Sequence, residues 1–159
     1  DASLFAPQDA YNLPQPTENG TPQPRDEPLA ENQPYGAIVD YYIGKAGGPV
    51  TLEILNAAGD VLKKFSSDDK STPVNPDTLD IPAFWIKTPP VLSTALGMHR
   101  WVWDLRPTPP PAPAGGGPGG GGRRGASSVL PGIYMVRLTA GGKSYLRALV
   151  VKMDPRVKP

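Results

Sequence analysis

The feature that most constrains the fold is a pair of adjacent strand-like segments at 130–152, LPGIYMVRLTAGGKSYLRALVVK. Gly141 and Gly142 separate them, and two glycines can both adopt the positive φ that a type I′ or II′ hairpin turn requires. The first segment alternates apolar and mixed positions, as a strand with one buried face does. The second is apolar on both faces, which predicts a central or covered strand. The sequence therefore predicts an antiparallel hairpin here.

Four more segments predict strands. They are 35–43 (YGAIVDYYI), 50–55 (VTLEIL), 61–65 (VLKKF) and 97–106 (GMHRWVWDLR). They are rich in β-branched and aromatic residues or alternate in polarity, and turn signals separate them. Six short strands without a long helical pattern favour an all-β, immunoglobulin-like β-sandwich. Because such sandwiches usually have about seven strands or more, we expect the missing edge strand to come from residues 1–34 or from another molecule.

The entrance to the hairpin predicts a specific hydrogen bond. Leu130-Pro131-Gly132-Ile133-Tyr134 forms a tight corner that delivers a tyrosine to the strand start. It resembles the tyrosine corner of immunoglobulin-like sandwiches, in which the hydroxyl bonds to upstream backbone. The alternation of the predicted strands also predicts one buried cluster, formed by Tyr134, Val136, Leu138, Leu52, Ile54 and Trp103.

Residues 1–34 are predicted to form an extended, proline-rich arm. Their seven prolines break helices and prevent most sheet pairing. Residues 3–6 and 9–13 lack proline, and each can pair briefly along a sheet edge. Four apolar residues are assigned as the assembly arm, spaced for an extended chain that docks on a surface: Leu4, Phe5, Tyr11 and Leu13. A disordered leader is the alternative.

The rest of the chain, 35–159, is predicted to be the sandwich domain, with two irregular stretches inside it. Residues 66–97 contain the apolar run IPAFWI. Residues 107–128, PTPPPAPAGGGPGGGGRRGASS, form a Pro/Gly-rich insertion, stiff in its proline half and flexible in its glycine half. Because this composition cannot bury a core, we expect the insertion to be dispensable for folding.

Composition excludes several classes of partner. The 159 residues suffice for one domain with a core. The net charge of +1 gives no basic field for nucleic acid. No apolar run approaches the roughly 20 residues of a transmembrane helix. The chain has no cysteine, so it has no disulfide framework. It begins at Asp1 without methionine, so we expect a processed protein or part of a longer one.

No catalytic or metal-binding constellation is evident, and we predict no enzymatic activity, no cofactor and no metal. His99 is the only histidine, so one chain cannot form a histidine metal cluster or a Ser-His-Asp triad. Asp40 and Asp104 fit outward-facing strand positions better than an acid–base pair. The aspartates at 68–69 and at 77–80 lack EF-hand spacing.

Other binding signals are weak. Trp85, Trp101 and Trp103 allow a sugar-stacking platform, although buried aromatics explain them better. The glycine-rich run lacks the lysine of a phosphate loop, and the arginine pair at 123–124 carries too little charge to bind nucleic acid. Asn19 begins an N-glycosylation sequon, Asn-Gly-Thr, which matters only in a host with that machinery.

Three stretches together carry a resemblance to known proteins: VTLEILNAAGDVLKKFSS, GMHRWVWDL and LPGIYMVRLTAGGKSYLRALVV. They resemble the immunoglobulin-like or fibronectin III-like domains of bacterial secreted proteins. Nearly the whole chain, except the Pro/Gly insertion, is similar to the domain that follows the β-propeller in BNR-repeat, sortilin-like proteins of the glycosyl hydrolase type. The stretches that carry this similarity are LFAPQDAYNL, ENQPYGAIVDYYI and LDIPAFWIKTPPVLSTALGMHRWVWDLRP. The propeller, which would carry a hydrolase site, is not in this sequence. The resemblance therefore implies a fold and an extracellular or cell-surface setting rather than an activity.

We therefore expect a non-enzymatic extracellular structural module whose arm adds a strand to a neighbouring copy, because an open sheet edge offers unpaired backbone groups. Such a head-to-tail contact builds a fibre or surface array. The expected partner is another copy of the chain. Two alternatives stay open: an accessory C-terminal domain of a larger propeller protein, which folds its own arm back, and a carbohydrate-binding module with glycan partners.

Overall fold

A computed structural model describes residues 1–13, 33–45, 47–70, 82, 90–108 and 128–157. Within these ranges the chain is all-β. Its eight strands are β1 (Ala2–Leu4), β2 (Ala10–Asn12), β3 (Ala37–Ile43), β4 (Thr51–Leu55), β5 (Val61–Ser66), β6 (Gly97–Trp103), β7 (Gly132–Ala140) and β8 (Lys143–Met153). The six strands predicted after residue 34 are confirmed with closely similar bounds. Of the other two, β2 lies within the predicted proline-free stretch 9–13, and β1 begins one residue before the stretch 3–6 and overlaps it at Ser3 and Leu4.

The strands form two sheets. One has the order β1-β3-β6, and the other has the order β2-β8-β7-β4-β5. The β7–β8 hairpin turns at Gly141 and Gly142, whose φ values of 57° and 74° are both positive, as a type I′ turn requires. β8 lies between β2 and β7. The predicted central position of β8 is therefore confirmed, although its outward face is not covered, since Leu146 is 48% exposed.

One hydrophobic core joins the two sheets, which therefore pack face to face as in a β-sandwich. Five of the six predicted core residues are fully buried, and the sixth, Tyr134, is half-buried and packs against them. The fully buried five are Val136, Leu138, Leu52, Ile54 and Trp103. The predicted cluster is thus confirmed.

The β7–β8 hairpin runs the length of the sandwich, so its two ends identify the two ends of the sandwich. The hairpin end carries the Gly141-Gly142 turn, and the opposite end carries Gly132 and Met153. The 11 residues of β8 set these ends about 33 Å apart, at about 3.3 Å per residue. At the opposite end the hydroxyl of Tyr134 donates a 2.6 Å hydrogen bond to the carbonyl of Leu130. The bond predicted from the corner sequence is therefore present.

Candidate functional site

The first 13 residues, called the N-terminal segment below, run along one side of both sheets. β1 pairs antiparallel with β3, and Ala2, Ser3 and Leu4 lie opposite Ile43, Tyr42 and Tyr41. β2 pairs in parallel with β8, and Ala10 lies opposite Val151. The segment therefore crosses from one sheet to the other and supplies an edge strand to each. All of these contacts are made within a single chain.

The sequence of the segment explains where it pairs and where it crosses. Pro7 lies between the two strands, where its missing N–H group breaks no sheet ladder. Leu4 and Ala10 point into the core, and each is 3% exposed. Phe5 and Tyr11 face outward and are 45% and 43% exposed. Leu4 and Ala10 therefore anchor the segment, one in each sheet.

Of the four predicted arm residues, one is an anchor. Leu4 is buried, whereas Phe5, Tyr11 and Leu13 are between 36% and 45% exposed. Sequence inspection missed Ala10 because a methyl side chain gives no apolar signal among larger residues. The only local indication of burial at Ala10 was its position in the proline-free stretch that forms β2.

Polar contacts hold the rest of the segment. Lys152 of β8 binds the carboxylate of Asp9, and that hydrogen bond is the main reason that the pKa of Lys152 is raised. The side-chain amide of Asn12 donates to the carbonyl of Val129 at 3.1 Å, and its oxygen accepts from the hydroxyl of Tyr35 at 3.1 Å. These bonds fix β2 at the opposite end of the sandwich.

The sheet beneath β1 is also tied by side-chain bonds. The hydroxyl of Tyr41 donates to the carbonyl of Ser93 at 3.0 Å and accepts from its N–H group at 3.1 Å. Burial raises the pKa of Tyr41. The ring of His99 packs against Tyr41 at 5.1 Å between centroids, and its Nε2 lies 2.7 Å from the carbonyl oxygen of Ala95. His99 thus has structural contacts.

Three of the carboxylates considered as catalytic or metal-binding candidates have structural partners. Arg100 donates two hydrogen bonds to Asp40, at 2.8 and 2.9 Å, and this bonding lowers the pKa of Asp40. Asp104 accepts from the backbone N–H of Arg106 at 3.2 Å. Asp69 accepts from the backbone N–H of Ser66 at 2.7 Å. Each carboxylate orders the backbone or a neighbouring strand.

The remaining sequence candidates divide between buried and undescribed positions. Trp101 and Trp103 are 8% and 0% exposed, so neither ring offers a face for sugar stacking. Trp85, Asn19, the aspartates at 77 and 80 and the arginines at 123–124 lie outside the described residues. Among the described residues, no group of three or more His, Asp or Glu side chains is placed to hold a metal ion.

Comparison with protein-family models, curated proteins and solved structures found no match. In the described part of the chain, no helix has the length and apolarity needed to cross a membrane. The N-terminal segment, with its two inward anchors and two outward aromatic residues, is the most distinctive structural feature of the described residues.

Proposed function

We propose that this chain is a non-enzymatic, immunoglobulin-like structural module of the cell surface or extracellular space, and that copies join by exchanging their N-terminal segments. One observation carries the proposal: a short terminal segment supplies an edge strand to each of two sheets. A segment that closes a surface within one chain can make the same contacts on a neighbouring copy, which is domain swapping.

The strength of the contact favours exchange. Burying a leucine such as Leu4 contributes about 1.5–3 kcal/mol, and Ala10 contributes less because it is smaller. Ordering the backbone costs about 1–2 kcal/mol for each residue fixed. Ordering the six residues of the two strands therefore costs about 6–12 kcal/mol, and burial of the two side chains offsets only part of it. Backbone and side-chain hydrogen bonds, at about 0.5–1.5 kcal/mol each, supply the rest, so the segment is held weakly and can leave its own sandwich.

The chain length also permits exchange. Residues 14–32 separate the segment from the rest of the described chain, and 19 residues fully extended reach about 65 Å. That distance is about twice the length of the sandwich estimated above. When each copy gives its segment to the next, the contact is heterologous and does not close unless the rotation happens to. The product is a fibre or a surface array.

Two features support the immunoglobulin-like assignment. The first is the tyrosine corner formed by Tyr134 and Leu130 at the start of β7. The second is the arrangement of two facing sheets with a first strand that is divided between them. The resemblance to domains of bacterial secreted proteins supports the extracellular setting.

Paired variants of the segment test the proposal. Changing both anchors (Leu4→Asp and Ala10→Asp) places charges in the core and should abolish self-association in sedimentation velocity. Changing both outward aromatics (Phe5→Ser and Tyr11→Ser) is the matched control and should leave more association than the anchor changes do. The proposal fails if the anchor variant associates like the parent, or if the parent remains a monomer at high concentration.

A second function is favoured by one observation. The segment pairs within its own chain, as expected of an accessory domain that folds its arm back inside a larger propeller protein. A parent chain that stays monomeric while β1 and β2 remain protected from amide hydrogen exchange would support this alternative.

A further inference from the structure

The outer face of the β1-β3-β6 sheet carries a cleft of about 610 Å³, called the outer cleft below. Its floor is formed by Ile38 and Asp40, which alternate with buried residues along β3, and by Arg100 of β6. Its walls are residues 6–8, where the N-terminal segment crosses between the sheets, and residues 33–34 before β3. Small-molecule sites have volumes of about 300–1,000 Å³, so the outer cleft is large enough for such a ligand.

The polar groups of the outer cleft place hydrogen-bond donors and acceptors side by side. Arg100 holds Asp40 through its Nε and one Nη2 hydrogen, which leaves its other N–H groups for a ligand. The carboxylate oxygens of Asp40 keep further lone pairs, since each can accept more than one hydrogen bond. Gln8 and Gln33 each add an amide N–H₂ group and an amide oxygen. The outer cleft can therefore donate to and accept from neighbouring groups of one ligand.

The charges of the outer cleft favour an uncharged ligand. Among the described residues that line it, Arg100 is the one cation and Asp40 the one anion, and they neutralise each other. An anionic ligand would compete with Asp40 for the guanidinium group. A cationic ligand would find a single carboxylate that is already paired. A neutral polar ligand leaves the ion pair intact.

An exposed aromatic ring lies beside the outer cleft. The N–H group of Phe5 donates to the carbonyl of Asp40 at 3.1 Å, so the two residues lie opposite each other, with their side chains on the same face of the sheet. Phe5 is 45% exposed and directly precedes the wall at 6–8. The face of an aromatic ring carries partial negative charge, which attracts the C–H groups on the flat side of a sugar ring.

We propose that the outer cleft binds a neutral saccharide, with its hydroxyls hydrogen-bonded to Asp40 and Arg100 and one sugar ring packed on Phe5. A sugar hydroxyl donates and accepts at once, which matches the mixed donors and acceptors of the cleft, and a neutral saccharide matches its balanced charge. A peptide fits less well. Extended peptides bind by adding to a free strand edge, whereas β3 in the floor of the cleft already lies between β1 and β6.

This inference goes beyond the proposed self-association. The outer cleft needs a docked N-terminal segment, because residues 6–8 form one wall. That segment can come from the same chain or from a neighbouring copy. A chain that does not exchange its segment therefore still contains the saccharide site, and failure of either proposal leaves the other standing.

Isothermal titration calorimetry of the full chain tests the site with neutral hexasaccharides of glucose, mannose, xylose and N-acetylglucosamine. At least one should bind with a Kd of about 1 mM or below. Arg100→Met and Phe5→Ser should each weaken that binding at least about tenfold, whereas Phe5→Tyr keeps the ring and should preserve it. Arg137→Met is the matched control, because Arg137 donates to Glu53 at 2.7 Å in a similar pair on the outer face of the other sheet.

Amide chemical shifts locate the ligand and compare its class with others. The neutral saccharide should shift the signals of residues 5–8 and of Asp40 and Arg100, while acidic hexagalacturonate and a capped tetra-alanine peptide should shift them much less. The proposal is overturned if no neutral hexasaccharide binds at concentrations up to about 10 mM, or if Arg100→Met binds as tightly as Arg137→Met. Stronger binding of the acidic saccharide or of the peptide, or shifts concentrated elsewhere in the chain, would also overturn it.

Discussion

Leu4 of β1 lies opposite Tyr41 of β3, and both side chains are buried, at 3% and 1% exposure. The hydrophobic core therefore extends into the N-terminal segment. Phe5, the next residue, faces outward at 45% exposure. Two adjacent apolar residues thus have opposite roles.

Because Leu4 is buried and Phe5 is exposed, truncating them to alanine should lower the stability by different amounts. Leu4→Ala should lower the free energy of unfolding by about 2 kcal/mol at most, the lower end of the usual range for such a truncation, because a weakly held segment undocks once the loss exceeds its docking free energy. Phe5→Ala should cost much less, since its ring remains largely in solvent. Urea denaturation of the two variants measures the difference. Equal effects would mean that the segment is not docked as described.

Adding a single methyl group at Gly36, in the turn before β3, should lower the stability of the fold severely. Gly36 has a φ of 122°, and a Cβ atom there would lie 2.1 Å from the carbonyl oxygen of Trp103. Backbone strain and overpacking together should make Gly36→Ala cost about 3 kcal/mol or more.

Gly132→Ala is the control for this position. The nearest atom to its added Cβ is a ring carbon of Tyr134 at 3.9 Å. Its stability should change by less than about 1 kcal/mol, in the stabilising direction. Thermal unfolding compares the two variants, and a Gly36→Ala protein as stable as the parent would contradict the close approach.

Removing the hydrogen bond between Tyr134 and Leu130 should cause a modest loss of stability. Tyr134→Phe removes the donor to the carbonyl of Leu130 and should cost about 0.5–1.5 kcal/mol in urea denaturation. Tyr11→Phe is the control, because the hydroxyl of this exposed tyrosine has no hydrogen-bond partner among the described residues. Equal stability of the two variants would show that the hydroxyl of Tyr134 contributes nothing measurable.

Strands with strong local signals were predictable from the sequence. The alternation in 50–55 and the glycine pair at 141–142 identified β4 and the β7–β8 turn, because side-chain periodicity and positive φ are local properties. The corner sequence before Tyr134 likewise predicted a bond that spans only four residues.

The placement of the N-terminal segment was only partly predictable. The proline-free stretches indicated short edge strands, but three residues of alternation do not reveal which side faces inward. Leu4 and Phe5 are both apolar, and the sheet alone decides between them. The parallel pairing of β2 with β8 depends on residues about 140 positions apart in the chain. No local pattern encodes that contact.

The Asp40–Arg100 pair predicts a limited dependence of stability on pH. Hydrogen bonding from Arg100 lowers the pKa of Asp40 below its ordinary value of 3.8. A lowered folded-state pKa contributes stability that is present above the unfolded value and is lost as the pH falls through the folded value. The loss should therefore occur below about pH 4, and it should be small because Arg100 is largely exposed.

Asp40→Asn should lessen the loss of stability on acidification from pH 5 to pH 2, as measured by urea denaturation at each pH. Asp104→Asn is the control, since Asp104 is exposed and forms no ion pair within the described ranges. A parent and an Asp40→Asn variant with parallel pH profiles would show that the pair contributes nothing measurable.

Exchange of the N-terminal segment between copies is tested most directly by the cysteine pair at positions 3 and 42. The chain contains no native cysteine, so Ser3→Cys with Tyr42→Cys reports only the pairing of β1 with β3. Each single-cysteine variant is the control, because it can form at most a disulfide-linked dimer. Oxidation at low concentration should give internally crosslinked monomers. Oxidation at high concentration should give a ladder of covalent multimers on a non-reducing gel, as each segment pairs with the next copy. Internally crosslinked monomers at every concentration would contradict exchange.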